Sequence, residues 1–513
     1  MPEKTLKKLN TYILPQFKAC FIGALIVGLF AHFYKITNWL PNWDSLVFRY
    51  DSQNMITIGR WFLPVVCSFT SFYDLPFLNG ITAIIFHALG AVCITKMLRV
   101  EKNITAFLIG AVVVSFPTVT SVMMYNYVAD GYAVAFFLSA LSAIFMTDKK
   151  PKLVLAMLLI SLSAGIYQAY IPVTIMLVIF DLVNRIIYSN ETTKEILIKA
   201  SKYLICGILG MGLYYVILKI LLMFNPVELF DYQGFNSSLS FSNIDLAGSL
   251  YSVKETFIKC FFDFSQGLNV YNSLNIVIFT FTILYYLRTV FKNKVYKQPI
   301  KFLILIILCI MLILGASALS FINAGIDYHN LMLMGYCVFY LFFIVIYERG
   351  TNQDDLHSKV KAWAVFLVSL ILILNQVVIA NVSYHKAQLA YEKSYGVLVR
   401  IADRIEQTPD TEKCDTVLVL GALKNSSNYS ANLPPDITGI TDGYIIRKDD
   451  EAVGQSVLTT ALNDYCDKNY SFLYGEEKEA FKKKDEIKAM PFWPQKDSVK
   501  VVDDIIVIKL GSE

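Results

Sequence analysis

Charged residues are scarce in this chain. Asp, Glu, Lys and Arg make up 17% of its 513 residues, whereas a soluble protein carries roughly 25%. Hydrophobic residues reach 56% and aromatic residues 14%. This balance excludes an ordinary soluble enzyme. The formal net charge of +4 gives no sign of a nucleic-acid partner, and none is predicted.

Common metal-binding and catalytic motifs are also missing. The nine cysteines show no CxxC spacing, and the five histidines are scattered, which argues against a zinc site. Residues 384–513 contain no Gly-rich phosphate loop, no GxSxG and no HExxH. Most cysteines lie in apolar runs, where they behave as small hydrophobic residues. Only Cys414 and Cys466 fall in a polar region, and whether they pair is left open.

What the chain has in quantity is long apolar runs. Each is close to the ~20 residues that cross a hydrocarbon core, so the sequence predicts a polytopic α-helical membrane protein. Eleven membrane spans are predicted, at approximately 11–34, 77–98, 104–124, 130–147, 152–166, 170–188, 202–224, 273–291, 301–321, 328–346 and 361–382.

The connections between these runs predict the orientation. Alternate connections are rich in Lys and Arg, which places them and the N-terminus in the cytoplasm. Residues 1–383 then form a membrane domain with long external loops at 35–76 and 225–272. An odd number of spans puts residues 384–513 outside the membrane.

Residues 384–513 are predicted to form a small extracytoplasmic α/β domain. "DTVLVLGA" and "YSFLYG" are typical of buried strands, and "ALNDYCDKNY" closes a helix. "DSVKVVDDIIVIKL" predicts a terminal hairpin that turns at Asp503 and Asp504. About 130 residues suffice for an independent core, and a binding or structural module is the interpretation we favour.

The run 152–188 is too long for one span and too short for two spans with an ordinary loop. "SAGIYQAYIP" interrupts it, which predicts two short or tilted helices that meet near the outer surface. Irregular backbone at membrane depth is tolerated where it faces protein or a wet cavity. Gln168, Tyr167 and Tyr170 are therefore candidate cavity residues, and a plain hairpin turn with interfacial tyrosines is the alternative.

The stretch "NWDSLVFRYDSQNMITIGRW" (42–61) follows the first apolar run and is unusually polar. A surface helix over 44–58 would place Asp44 and Asp51 on one face, roughly 10 Å apart along the axis. Arg49 and Arg60 suit phosphate, because a planar guanidinium binds two oxygens at once. A carboxylate could then activate an acceptor hydroxyl while a cation stabilises a leaving phosphate. The alternative is a surface loop with solvated charges.

Three motifs on the predicted external side give these residues a context. "NWDSL" followed by "IGRW" resembles the Gtr-type glucosyltransferases of bacteria, as do "YNYVADGYAV" (125–134) and "IYQAY" (166–170). The resemblance covers roughly residues 11–190. It implies the C-type glycosyltransferase (GT-C) fold for the membrane domain. This chain departs from the family where Ser45 follows Asp44, since the family often has two adjacent acids, and Asp51 is a candidate replacement.

The resemblance implies an inverting transfer of a sugar, commonly glucose, from polyprenyl phosphate to a surface polysaccharide or a lipid-linked glycan. Asp44 would be the catalytic base, with Asp51 as the alternative base or a sugar-binding carboxylate. Arg60, helped by Arg49, would bind the donor phosphate. The residues that it implies for the sugar and acceptor cavity are Asp130, Tyr127, Gln168 and Tyr170.

A few expectations remain beside these roles. His329, on the same external side, would contact phosphate or an acceptor hydroxyl, or else make a structural contact. No cofactor is required, and a divalent metal at Asp44, Asp51 and Asp130 is the less favoured alternative. The protein would lie in the bacterial plasma membrane, in contact with membrane lipid.

A transporter or flippase for a lipid-linked sugar is the main alternative function, and a scaffold for the external domain is a third. Transport usually needs charged groups near the midplane or internal repeats, and neither is evident.

Overall fold

A computed structural model describes residue 3 and residues 13–230, 245–264, 267–322, 328–350, 355–421, 423, 435–440, 451–473 and 475–511. The chain divides into two compact units. The helical unit comprises residues 1–37, 51–381 and 433–438. The sheet unit comprises residues 38–50, 382–432 and 439–513. This division differs from two consecutive domains, because residues 38–50 belong with the C-terminal residues.

Helices form most of the described chain. In order they are α1 (Pro15–Thr37), α2 (Trp43–Val47), α3 (Leu63–Cys67), α4 (Pro76–Met97), α5 (Asn103–Ser115), α6 (Pro117–Met124), α7 (Asn126–Thr147), α8 (Leu153–Ile166), α9 (Ile171–Tyr188), α10 (Thr193–Phe224), α11 (Leu246–Phe261), α12 (Val270–Lys292), α13 (Pro299–Ala316), α14 (Ala318–Ile322), α15 (Cys337–Gly350), α16 (Leu356–Glu406), α17 (Glu451–Cys466), α18 (Gly475–Lys482) and α19 (Asp485–Ala489).

Eight helices in the described ranges are long and apolar enough to cross a membrane. They are α1, α4, α7, α9 with the turn before it, α10, α12, α13 and α16. The pair α5 and α6 bends by 42° and makes a ninth if it counts as one span. The helical membrane class is therefore confirmed, whereas the count of eleven is not.

Two of the predicted spans explain the difference in count. The run 152–166 corresponds to α8, which has 14 residues. The run 328–346 contains two 3₁₀ turns before α15, and α15 also has only 14 residues. Hydropathy registers apolar residues, but it does not register where the backbone stops being helical.

The helical unit is built around closely packed neighbours. Helix α1 packs against α4 and α5, α7 packs against α4 and α8, and α10 packs against α8. Small polar residues link α7 to α8 and α9, with Ser139 Oγ 2.9 Å from Ser163 Oγ and Ser142 Oγ 3.0 Å from Thr174 Oγ1. Such hydrogen bonds hold helices together where the surrounding medium is apolar. They fix the end of α8 and the start of α9 against the middle of α7.

The predicted break within 152–188 is confirmed. Helix α8 ends at Ile166, Tyr167 is extended with φ −159°, and a 3₁₀ turn over Gln168–Tyr170 leads into α9. Pro172 lies in the first turn of α9, where a proline costs no helical hydrogen bond. Tyr170 is buried, so the irregular backbone faces protein.

The sheet unit contains strands β1 (Thr416–Leu420), β2 (Ser471–Phe472), β3 (Val499–Val502) and β4 (Ile505–Lys509), in the order β2-β1-β4-β3. Strand β1 runs parallel to β2 and β4, and β3 pairs antiparallel with β4. The predicted terminal hairpin is confirmed, with Asp503 and Asp504 at φ 47° and 59° in its turn. Both Cys414 and Cys466 are free thiols, and burial raises the pKa of each.

Residues 38–50 contribute to the core of the sheet unit. Leu46 from α2 is 2% exposed and packs in a cluster with Val417 of β1 and Leu462 of α17. Trp39 and Trp43 pack against the same cluster. The polar stretch after the first span therefore begins inside this core.

The predicted helix over 44–58 is wrong. Helix α2 has five residues and ends at Val47, and the next helical turn is a 3₁₀ turn at Ile56–Ile58. Asp51 Oδ1 accepts a hydrogen bond of 2.6 Å from the backbone N–H of Gln53, and Gln53 has φ +54°. This local turn competes with helix. Asp44 and Asp51 thus do not share a helical face, and they belong to different units.

The predicted external loop 225–272 contains α11, and its residues 231–244 and 265–266 lie outside the described ranges.

Candidate functional site

Residues 51–75, called here the site segment, run across the ends of several helices in the helical unit. The Phe62 amide donates to the Gly165 carbonyl at 2.7 Å. The Tyr214 hydroxyl donates to the Gly59 carbonyl at 3.1 Å. Gly59 has φ 78°, a left-handed conformation that glycine adopts without strain. The segment is therefore fixed to α8 and α10 by its backbone.

Gln168 adds a third attachment. Its Nε2 donates to the Ile58 carbonyl at 3.2 Å and to the Tyr214 hydroxyl at 2.9 Å. The break between α8 and α9 places this amide beneath the site segment. Gln168, a predicted cavity residue, thus acts at least in part by positioning the residues before Arg60.

Arg60 lies against aromatic rings. Its Nη1 donates to the Tyr132 hydroxyl at 2.9 Å, and its Cζ lies 4.5 Å from the ring centroid of Tyr167. Tyr132 and Tyr167 stack on each other at 4.4 Å and 12°. Cation–π contact and one hydrogen bond hold the guanidinium in a defined plane. Arg60 presents five N–H donors in a fixed fork, which suits an anion with several oxygens.

Tyr170 completes this aromatic group. Its ring centroid lies 5.9 Å from that of Tyr167 and 6.5 Å from that of Tyr132. The residue is 1% exposed, and its hydroxyl has no hydrogen-bond partner among the described residues. A buried hydroxyl without a partner is costly, so a ligand hydroxyl is a natural partner for it.

Asp130 lies near the start of α7, two residues before Tyr132. It is 2% exposed, and its carboxylate accepts from Thr70 Oγ1 at 3.0 Å and from the Gly131 amide at 2.9 Å. Asp130 thereby fastens the end of the site segment to α7. Burial, with the charge of Asp130 adding to it, raises the pKa of the Cys67 thiol and so favours its protonated form.

A buried charged group lies beside Asp130. Asp74 is 8% exposed, and its Oδ1 accepts from Asn126 Nδ2 at 2.5 Å. Lys35, at the end of α1, is 2% exposed and interacts electrostatically with Asp74. Asp74 and Asp130 also lie close enough to repel each other electrostatically. Two carboxylates and one lysine thus meet at the ends of α1 and α7.

The sequence reasoning missed Asp74, Lys35 and Tyr132. A signal was present, because Lys35 ends the first apolar run and Asp74 immediately precedes the second. Ionisable residues at the two edges of one loop are candidates to meet when that loop returns to the same membrane surface. Tyr132 lies inside "YNYVADGYAV", where the sequence pattern does not distinguish it from its aromatic neighbours.

Replacing Asp74 with Asn is expected to destabilise the helical unit by about 3–5 kcal/mol. The change removes the carboxylate that interacts with the buried Lys35 ammonium. The double variant Lys35→Met with Asp74→Asn is expected to recover a large part of that loss. Thermal unfolding of the purified variants in one detergent measures both effects. Equal melting temperatures for the single and double variants would show that the two charges are not coupled.

Asp51 and Gln53 lie at the start of the site segment. The Asp51 amide donates to the Phe72 carbonyl at 3.3 Å, which closes the segment on itself. Gln53 is fully buried, and neither atom of its amide has a partner among the described residues. The indole Nε1 of Trp61 is likewise buried without a partner in those ranges. The segment that carries Arg60 therefore also carries unsatisfied polar groups.

Asp44 and Arg49 belong to the sheet unit. Asp44 is in the first turn of α2, whose N-cap Asn42 accepts from the Ser45 amide at 2.9 Å. Arg49 forms an ion pair of 3.0 Å with Asp464, and its Cζ lies 4.3 Å from the ring centroid of Trp39. These contacts give Arg49 a structural role in the sheet unit, and its predicted contact with phosphate stays a prediction.

Tyr127 and His329 are two further predicted site residues. Tyr127, in the first turn of α7, is 6% exposed, and its ring packs edge-on against Tyr125. His329 is exposed and precedes the 3₁₀ turn Asn330–Met332. Residues 323–327, which precede it, lie outside the described ranges.

Gly165 is a point of close approach between α8 and the site segment. A Cβ there would lie 2.7 Å from the Trp61 ring. Gly165→Ala is therefore expected to push Trp61 and the adjacent Arg60 out of place and to destabilise the protein by about 1–3 kcal/mol. Melting temperature and transfer rate measure the effect.

Gly207→Ala is the matched control for Gly165→Ala, since Gly207 is also helical and a Cβ there meets nothing within 4 Å. It should be neutral or stabilising, because alanine favours helix. Equal behaviour of the two variants would contradict the close packing of Trp61.

The fit of a metal can be judged from the available ligands. Within the described ranges, no three His, Cys, Asp or Glu side chains are grouped so that they could hold a metal ion. Asp44, Asp51 and Asp130 in particular do not form such a group.

No curated protein and no solved structure matches the chain. The family model for glucosyl transferase GtrII matches residues 33–347, which include the site segment, α7 and the break before α9. The match covers more than half of the chain and confirms the resemblance inferred from the external motifs. It indicates glycosyl transfer and does not favour the transporter alternative. The chain belongs to the glucosyl transferase GtrII family.

Proposed function

We propose that this protein transfers glucose from a polyprenyl-phosphate donor to a surface polysaccharide or lipid-linked glycan at the external face of the bacterial plasma membrane. The observation that carries the proposal is Arg60, held on the faces of Tyr132 and Tyr167 at the ends of apolar helices within the family-matched region. A lipid-linked donor would bring its phosphate to this depth.

Arg60 would bind the donor phosphate. A phosphate monoester that leaves from a sugar gains negative charge, and a fixed cation stabilises that charge. The stacked tyrosines orient the guanidinium before the substrate arrives, so little reorganisation is needed. Arg49 is a second candidate for the phosphate, on the basis of the family resemblance.

The sugar would be bound by polar groups that the protein leaves unsatisfied. These are the Tyr170 hydroxyl, the Gln53 amide and the Trp61 indole nitrogen, which have no partner among the described residues. Each such group costs about 1–3 kcal/mol when buried alone. Hydroxyls of a pyranose can satisfy donors and acceptors alike, and its apolar face can stack on aromatic rings. Asp130, Gln168 and Tyr127 remain proposed cavity residues beside them.

The reaction would be a single inverting displacement. Asp44 is proposed as the base that takes the proton from the acceptor hydroxyl, and Asp51 is the alternative. The acceptor oxygen bonds to the anomeric carbon as the bond from that carbon to the phosphate oxygen breaks. Polyprenyl phosphate leaves with the electron pair. Both assignments of the base rest on the family resemblance.

The proposed orientation has the N-terminus in the cytoplasm and the C-terminal sheet outside. It is supported by the Lys- and Arg-rich connections, which retain positive charge on the cytoplasmic side. The sheet unit would then be available to an acceptor glycan, as a binding or structural module.

Reconstituted protein tests the proposal. Proteoliposomes receive radiolabelled polyprenyl-phosphate glucose and, in parallel, a labelled nucleotide-activated glucose, each with host surface glycan. Label is expected in the glycan from the lipid donor alone. Label from the nucleotide donor alone would contradict the proposed donor. Labelled lipid that moves between leaflets without transfer would support the transporter function instead.

A further inference from the structure

A cavity lies at the far end of α9 from Tyr170. It has a volume of about 710 Å³. The polar residues that line it include Ser189, Asn190, Glu191, Asn293, Gln298 and Lys301. Helix α9 has 18 residues, so the cavity lies about 27 Å along the helix from the candidate site. The two sites are therefore distinct.

Lys301 is the unusual group in this cavity. It is 8% exposed, and it makes no hydrogen bond or ion pair with any residue in the described ranges. Its Nζ is not among the fully buried polar atoms, so the ammonium opens onto the cavity and can bind an anion there. Lys301 is thus the first indication of a bound anion.

Lys301 belongs to the first turn of α13. The N-cap Gln298 makes no side-chain capping bond, and Pro299 occupies the first turn. The amides that open a helix point outward and carry partial positive charge, which favours an anion such as phosphate. The helix start and the buried lysine both line the same cavity, so their charges reinforce each other.

Glu191 provides a group of the opposite sign. Its Oε1 forms ion pairs with Arg185 at 2.6 Å and with Lys199 at 2.7 Å. Its Oε2 is buried and has no partner among the described residues. Burial opposes ionisation, but Lys199 and Arg185 prevail and lower the pKa of Glu191. The cavity therefore contains a carboxylate oxygen that can accept a hydrogen bond, Glu191 Oε2, together with the cation of Lys301.

The surroundings of the cavity are suited to lipid. Helices α9 and α12 end at the cavity, and α10 and α13 begin there. All four are apolar enough to cross a membrane. Near the cavity, Ile300 is 60% exposed, Leu303 57% and Ile198 44%. Acyl chains can lie against these side chains while a polar head group enters the cavity, as expected at a membrane–water boundary.

We propose that this cavity binds the head group of a phospholipid that carries both a phosphate and a primary amine, of the phosphatidylethanolamine class. The phosphate is bound by the Lys301 ammonium and by the backbone N–H groups of Ile300 and Lys301, which are the first donors of α13 because Pro299 has none. The ammonium donates to Glu191 Oε2. The bound lipid closes the gap between the ends of α10, α12 and α13 and stabilises the helical unit.

Native mass spectrometry of the full chain tests the site, with titration of phosphatidylethanolamine, phosphatidylglycerol and phosphatidylcholine. Lys301→Met is expected to weaken binding of phosphatidylethanolamine by about 10- to 100-fold, as expected for loss of a charged hydrogen bond. Lys297→Met is the control, because Lys297 is exposed in the same connection and does not line the cavity. Equal binding by the Lys301 and Lys297 variants would overturn the proposal.

Two further comparisons define the ligand. Glu191→Gln is expected to remove the preference for phosphatidylethanolamine over phosphatidylglycerol, and an unchanged preference would overturn the amine contact. Free glycerophosphoethanolamine is expected not to displace the lipid at equal concentration. Displacement at equal concentration would show a site for a soluble phosphate ester and would overturn a lipid site.

Stability gives a readout that does not depend on binding spectra. In lipid-free detergent, Lys301→Met is expected to melt at or above the temperature of the wild type, since a half-enclosed cation without a partner among the described residues is gone. Added phosphatidylethanolamine should raise the melting temperature of the wild type and not of the variant. If Lys301→Met does not fold, Lys301→Gln, which keeps a polar side chain without the charge, should weaken binding instead. Unchanged binding by that variant would contradict the proposed phosphate position.

Discussion

Arg60→Ala is expected to lower sugar transfer by about 10²- to 10³-fold, as for loss of one group that stabilises transition-state charge. Arg60 is held by Tyr132 and by the face of Tyr167, which fix its guanidinium in one place. The rate of transfer at saturating acceptor, measured over a range of donor concentrations, gives the loss in kcat and in kcat/KM.

Arg60→Lys separates charge from geometry. A lysine retains the cation but not the planar fork, so an intermediate rate is expected. Arg288→Lys is the matched control, since Arg288 is exposed on α12 and contacts His357. A wild-type rate for Arg60→Ala would contradict the proposed phosphate site. A loss for Arg288→Lys equal to that for Arg60→Lys would show that the assay reports a general effect of arginine replacement.

Asp44→Asn is expected to lower transfer by about 10²- to 10⁴-fold, the range for removal of a general base. The amide keeps the shape of the side chain but cannot take the acceptor proton. Asp51→Asn is the paired variant, and a large loss there with little loss for Asp44→Asn would move the base to Asp51. Wild-type rates in both variants would contradict the proposed base.

Stability must be followed beside activity for Asp44. The residue lies in the first turn of α2, where a negative charge stabilises a helix by about 0.3–1 kcal/mol. Ser45→Ala is the control, because Ser45 is buried beside it and its hydroxyl donates to Asn42 at 3.0 Å. A comparable loss of stability with retained transfer in Ser45→Ala would show that the loss in Asp44→Asn is chemical.

Features set by local pattern were predictable from the sequence. Apolar runs of sufficient length gave the long helices, and "SAGIYQAYIP" gave the break between α8 and α9. The hairpin turn at Asp503 and Asp504 followed from two short strand-like runs around polar residues. In each case the residues that decide the structure are neighbours in the chain.

Features set by distant contacts were not predictable. Trp43 and Leu46 pack in the sheet unit with residues more than 350 positions later, such as Leu398 and Val417. The proximity of Lys35 and Asp74 depends on how the loop returns between α1 and α4. Apolar and charged periodicity in one stretch contains no information about such partners.

The candidate site was predicted in part for the same reason. Arg60, Asp130, Gln168 and Tyr170 were named from motifs, and the structure brings them to the ends of α7, α8 and α9. The structure alone reveals that Gln168 fastens the site segment and that Tyr132 holds Arg60. The catalytic and binding roles themselves remain predictions.

One measurement tests the central claim most directly: the amounts of transferred glucose and released polyprenyl phosphate in a single reaction of the purified protein. The account predicts one polyprenyl phosphate released for each glucose found in the glycan, with both products lost together in Arg60→Ala. Glucose transfer without release of polyprenyl phosphate, or transfer at the wild-type rate in Arg60→Ala, would contradict it.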